Sequence, residues 1–86
     1  MQKFVDMFPK EFKIIVNSKN FEFIQKLLFS CNMRWDYEGQ SIRNYNSNLE
    51  FSFLHIGKLH PELFHMYHHR SEFDALNIPE LIIKWN

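Results

Sequence analysis

All five histidines of the 86-residue chain fall in its second half, at positions 55, 60, 65, 68 and 69. Imidazole is the side chain best suited to moving protons and ligating metals near neutral pH, so these residues are the first place to look for chemistry. His65 and His69 are four apart, and Glu62 precedes His65 by three. On a helix the three share one face, which would offer a carboxylate and two imidazoles to a transition metal. Completing such a site takes further ligands, and Cys31 and His55 are the only nominees. Glu62, His65 and His69 are thus a thin metal set, and no resident metal or cofactor is expected. A second chemistry makes two of the histidines a general acid and base, as in a metal-independent ribonuclease. RNA-cleaving proteins grip phosphate with basic surface, and here Arg34, Arg43, Lys58 and Arg70 are scattered. No glycine-rich phosphate loop, nucleophile motif or paired-carboxylate spacing accompanies them.

Composition narrows the field further. Ten Lys plus Arg balance ten Asp plus Glu, which argues against a nucleic-acid binder and against an acidic mimic of one. Trp35, Tyr37 and Tyr45 with Arg34 and Arg43 have the composition of a base-stacking platform. Period-two alternation turns Arg34 away from Trp35 and Tyr37, however, so both rings are expected in the core. No apolar run exceeds three residues, whereas a membrane helix takes about 20 and a signal peptide at least about 7. The single cysteine, Cys31, cannot form an internal disulfide. A reducing cytoplasm is the expected compartment, without membrane contact.

The elements that must position these side chains follow from hydrophobic periodicity. With 45% hydrophobic and 17% aromatic residues, residues 1–86 read as one folded domain. Residues 10–16 alternate, with Phe12, Ile14 and Val16 on one strand face. Asn17 or Ser18 caps a helix over about residues 19–31, in which Phe21, Ile24, Leu28 and Cys31 form the buried stripe. Glu22, Gln25 and Lys26 face water, and Asn32 closes the helix in the left-handed conformation. Residues 33–38 alternate again, with Met33, Trp35 and Tyr37 inward. Residues 41–45 are a possible short return strand, and 49–56 form a third strand. Pro61 suits a helix start, so 62–70 is read as one or two helical turns, with Ser71 and Asp74 opening the next segment in the manner of a capping box. Residues 1–9 form an apolar leader, and 81–85 read as an edge strand or a terminal helical turn. The sum is an α+β fold: a small antiparallel sheet packed on one main helix, in a two-layer sandwich.

Leu54 and Ile56 are apolar on the strand face opposite Phe51 and Phe53, more apolar surface than one small domain is expected to cover. A partner protein or a second copy of the chain is the natural cover. Ile42 and Tyr45, in the polar loop, are the expected exposed contacts, so Ile42, Tyr45, Leu54 and Ile56 form the candidate binding set. Residues 44–86 carry three cations against five carboxylates. Protonating the histidines would reverse that sign, and binding through this half is expected to change between about pH 7.5 and 5.5.

Phe12-x-Ile14-x-Val16-Asn17, then Gln25-x-x-Leu28-Phe29, then Met33-x-Trp35 and a glycine, resembles small accessory proteins of large tailed bacteriophages. The likeness covers about the first half of the chain. Those proteins often end the helix in a glycine, where this chain has Cys31-Asn32-Met33. The resemblance implies an early accessory role, acting by stoichiometric binding to a host protein in the host cytoplasm, as an inhibitor or counter-defence factor without catalysis. It transfers no catalytic residue.

Overall fold

The computed structural model describes residues 11–82. The elements run β1 (Phe12–Val16), α1 (Phe21–Ser30), β2 (Arg34–Trp35), β3 (Ser52–Ile56), β4 (Leu63–Tyr67) and α2 (Arg70–Ala75). The strands form one sheet in the order β1-β3-β4-β2. The expected α+β architecture, a small sheet packed on one main helix, is what forms. β1 and β4 both pair antiparallel with β3, whereas β2 runs parallel to β4. The crossover accounts for that exception: a helix joining two strands of one sheet delivers the second strand parallel to the first. β1, α1 and β2 are such a unit, with β3 and β4 inserted between its strands.

Local chemistry explains the bounds of α1. Asn17 Oδ1 accepts the amides of Lys19 and Asn20 at 2.9 and 3.1 Å, and Asn20 Oδ1 accepts the Asn17 amide at 2.7 Å. Asn17 therefore builds the turn before the helix, and Asn20 takes the cap position that the sequence assigns to Asn17 or Ser18. At the other end Asn32 adopts φ 64°. Its amide donates to Phe29 O and that of Met33 to Leu28 O, each at 3.0 Å, the paired bonds that close a helix through a left-handed residue.

One face of the sheet, with Phe12, Ile14, Val16, Leu54, Ile56 and Phe64, is sealed by Phe21, Ile24 and Leu28 of α1 and by Cys31 at its C-cap. Trp35 completes this core, 4.4 Å from the Phe64 ring and edge-on to Phe21 at 6.0 Å. Rings of this size supply much apolar burial from few residues, which a domain this small needs. Leu54 and Ile56 are thus core residues, and the surplus apolar face inferred for them is closed by the chain's own helix. A homodimer through them loses its rationale.

The opposite face is covered at one end by α2, whose buried Phe73 packs on Phe51 and Phe53. Lys13 points to this side and is buried there; its Nζ donates to Phe73 O at 2.6 Å and Leu76 O at 2.8 Å. A lysine on the last carbonyls of a helix satisfies orphan acceptors and favours the negative end of the dipole.

Two segments differ from their sequence reading. Residues 62–70 were expected to be helical, but 63–67 form β4, in which Phe64 and Met66 alternate with Leu63, His65 and Tyr67 across the sheet. Pairing with β3 decides this, because a five-residue helix buries too little to compete with a ladder between hydrophobic strands. The expected strand 33–38 contracts to two residues, because the Trp35 amide turns to Gly39 O at 2.8 Å. Residues 41–45 form no strand. After Pro79 the chain runs alongside β1, with bonds from Lys13 N to Pro79 O and from Leu81 N to Lys13 O. The expected leader 1–9 and the end of segment 81–85 lie outside the described residues. No helix among the described residues is long and apolar enough to cross a membrane.

Candidate functional site

The half of the second sheet face that α2 leaves uncovered brings two of the five histidines together. Alternation places His55 of β3 and His65 and Tyr67 of β4 there, and the register sets His55 directly opposite His65. Residues opposed in this way hold their Cβ atoms about 5 Å apart. Each imidazole has a carboxylate beside it. His55 Nε2 and Glu11 Oε2 lie 3.1 Å apart, and His65 Nδ1 and Asp36 Oδ2 lie 3.9 Å apart. A third pair, His60 Nδ1 and Glu62 Oε1, stands at 3.5 Å in the turn between β3 and β4. An open hollow of about 320 Å³ lies over this face, bordered by Glu11, His55, Lys58, Leu59, His65 and Tyr67. A carboxylate hydrogen-bonded to an imidazole, as Glu11 is to His55, is the arrangement that general acid–base catalysis uses; Asp36 stands too far from His65 to do the same. Elsewhere Ser52 Oγ lies 3.2 Å from His68 Nδ1, a serine–histidine contact closed to substrate because Ser52 is fully buried.

The metal set does not assemble. Glu62, His65 and His69 share a face only on a helix; on β4 the odd and even residues part to opposite sides. Glu62 turns to His60, His65 turns to Asp36, and His69 is the exposed residue before α2. Cys31 is buried under α1. Among the described residues no three His, Cys, Asp or Glu side chains come together as a metal site.

The candidate contact residues are also redistributed. Ile42 is exposed, as expected. Tyr45 is half-buried, its ring edge against Phe21 at 5.6 Å. Among the described residues the large apolar side chains most open to solvent are Tyr37, 94% exposed, and Leu59, 89% exposed, followed by Ile82 near the end of the described chain. Tyr37 was expected in the core with Trp35, but the turn at residues 36–39 breaks the alternation and swings it outward. Leu59 carried a sequence signal: an apolar residue between Gly57 and Pro61 lies in turn chemistry and cannot belong to a core strand.

One residue missed by the sequence reading holds this region in place. Gln25 was assigned to the wet face of α1 and is fully buried. Its Oε1 accepts Trp35 Nε1–H at 3.0 Å and the Arg43 amide at 2.7 Å, while its Nε2 donates to Arg43 O at 2.9 Å and Phe21 O at 3.3 Å. The Arg43 guanidinium lies over the Trp35 ring at 4.8 Å and pairs with Glu38 at 3.4 Å. One amide thereby ties the irregular segment 36–45 to the core. The signal was its spacing, since residue 25 falls one turn after Phe21 and three before Leu28.

Comparison with models of protein families, with curated proteins and with solved structures finds no match to this chain.

Proposed function

We propose that this chain is an accessory protein of the tailed-phage type that binds a host protein stoichiometrically, in the host cytoplasm. The observation that supports the reading is the pair of large apolar side chains, Tyr37 and Leu59, left almost wholly in water on turns that border the open sheet face. A small domain gains nothing in stability from large apolar side chains left this open to water. Aromatic and aliphatic anchors on a polar rim are what protein interfaces use. Zero net charge fits a protein partner better than a nucleic acid. The test is affinity capture from host lysate with the native chain and with a Tyr37→Ser, Leu59→Ser double variant. A host protein retained in equimolar amount by the first and lost by the second supports the reading; equal retention by both refutes it.

A second reading has its own observation, the direct opposition of His55 and His65, each beside a carboxylate. In this reading the pair cleaves RNA, one imidazole taking the 2′-hydroxyl proton and the other protonating the leaving 5′-oxygen. Incubating the protein with a fluorogenic RNA in the presence of a chelator tests it. Cleavage that survives chelation and vanishes in both His55→Gln and His65→Gln supports this reading over the first.

A further inference from the structure

Among the described residues only half of the outer edge of β4 is paired. The Arg34 amide donates to Glu62 O at 2.9 Å, which sets the direction of every backbone group along the strand. Residues 62, 64 and 66 turn their N–H and C=O groups toward β2, and 63, 65 and 67 turn theirs toward β3. β2 reaches only Leu63 and Phe64 before the chain turns away at Trp35. Among the described residues no strand stands opposite Met66, so its N–H and C=O face an open lane that continues β2. Beside that lane is a hollow of about 200 Å³, with Trp35, Phe64 and Met66 on its floor and Asp36, Glu38 and Arg43 at its rim.

We infer that this lane takes an extended segment of the partner protein as an added strand, with a cationic side chain directed at Asp36. The inference rests on the partner-binding reading above and specifies how the partner enters. An unpaired strand edge is a template for another chain, and in strand addition the main-chain bonds supply affinity while neighbouring pockets select side chains. Charge selects the occupant. Two carboxylates border the lane, and among the described residues that line the hollow the one Lys or Arg, Arg43, is engaged with Glu38 and the Trp35 ring. Asp36 is left with His65 at 3.9 Å, beyond hydrogen-bond reach, and keeps about a third of its side chain in water. A lysine or arginine on the incoming strand completes it, with an adjacent apolar residue lying on the exposed Tyr37.

The probe is a fluorescent hexapeptide alternating valine and lysine, compared with one in which glutamate replaces lysine, at low ionic strength. The lysine peptide is expected to bind at least ten-fold more tightly, to lose at least ten-fold in affinity on Asp36→Asn, and to slow hydrogen exchange at the Met66 amide. Met66→Pro deletes the outward N–H while sparing the ladder to β3, as proline does on edge strands, and is expected to abolish binding. Should that variant unfold, the lysine peptide N-methylated at alternate amides asks the same question from the ligand side and is expected not to bind. Equal affinity for the two peptides, no binding at millimolar concentration, or binding indifferent to N-methylation overturns the inference. A dimer of the chain alone that Met66→Pro dissolves overturns it too, since a second copy would then occupy the lane. If these fail while the Tyr37 and Leu59 double variant still loses its captured host protein, partner binding stands and only the mode of entry is wrong.

Discussion

Replacing Gln25 with leucine is expected to cost much of the stability of this domain, although the substitution makes the helix face more hydrophobic. Leucine nearly matches glutamine in volume and has the better helix propensity, so a wet Gln25 would predict a neutral or stabilising change. In the structure the side-chain amide is buried and makes four hydrogen bonds, to Trp35 Nε1, to both backbone groups of Arg43 and to Phe21 O. Leucine leaves the buried indole N–H without an acceptor, a loss of about 1–3 kcal/mol. The Arg43 groups lie nearer the surface and can recover water, so they add about 0.5–1 kcal/mol each. Phe21 O keeps its helical partner and adds little. The leucine side chain returns part of this through its own burial, and the net is about 2–3 kcal/mol. For a chain of this length that lowers Tm by on the order of 10–20 °C. Thermal and urea unfolding followed by far-UV circular dichroism give both numbers, and unchanged m-values would show that the unfolded state is not the source. Hydrogen exchange should accelerate at the Arg43 amide before it does in β1 or β3, because segment 36–45 is released first. A Tm within about 2 °C of the native chain would refute the assignment of Gln25 as the tie between helix, tryptophan and loop.

Four further outcomes are expected. Trp35→Ala removes a buried ring that contacts Phe64 and Phe21 and should destabilise by about 3–5 kcal/mol; a near-native melting curve would contradict the sandwich. Lys13→Met keeps most of the apolar stem but strips the Phe73 and Leu76 carbonyls of their donor, so amide exchange in α2 should rise while that in α1 stays unchanged. Asn32→Gly should match or slightly exceed native stability, whereas Asn32→Val at φ 64° should lose about 1–2 kcal/mol in chemical denaturation. Tyr37→Ser and Leu59→Ser, both at solvent-exposed positions, should leave stability within about 0.5 kcal/mol, and a large loss would place these side chains in the fold.

What could be read from sequence was whatever depends on near neighbours. The stripe Phe21, Ile24, Leu28 and Cys31 records the helical period, and Asn32 records a backbone angle that few residues accept, so α1 and its closure were legible. The alternation of Phe12, Ile14 and Val16 placed β1 and its buried face, and Met33 and Trp35 were rightly sent to the core. Segment 62–70 was not legible, since nine residues with three histidines and a preceding proline are compatible with either period. Its strand state comes from a partner in β3 ten or more residues away. Leu54 and Ile56 were recognised as apolar, but whether α1 or another molecule covers them is a question of three-dimensional layering. The same holds for the site. The sequence displayed five histidines, yet only strand register brings His55 opposite His65 while separating Glu62, His65 and His69. Gln25 and Tyr37 exchanged their expected places for one reason: the chain turns at residues 36–39, directing Tyr37 to water and the Arg43 backbone to an amide buried beneath it. Local periodicity determined which segments seek a core; pairing across the chain decided which side chains reach it and which are left to meet something else.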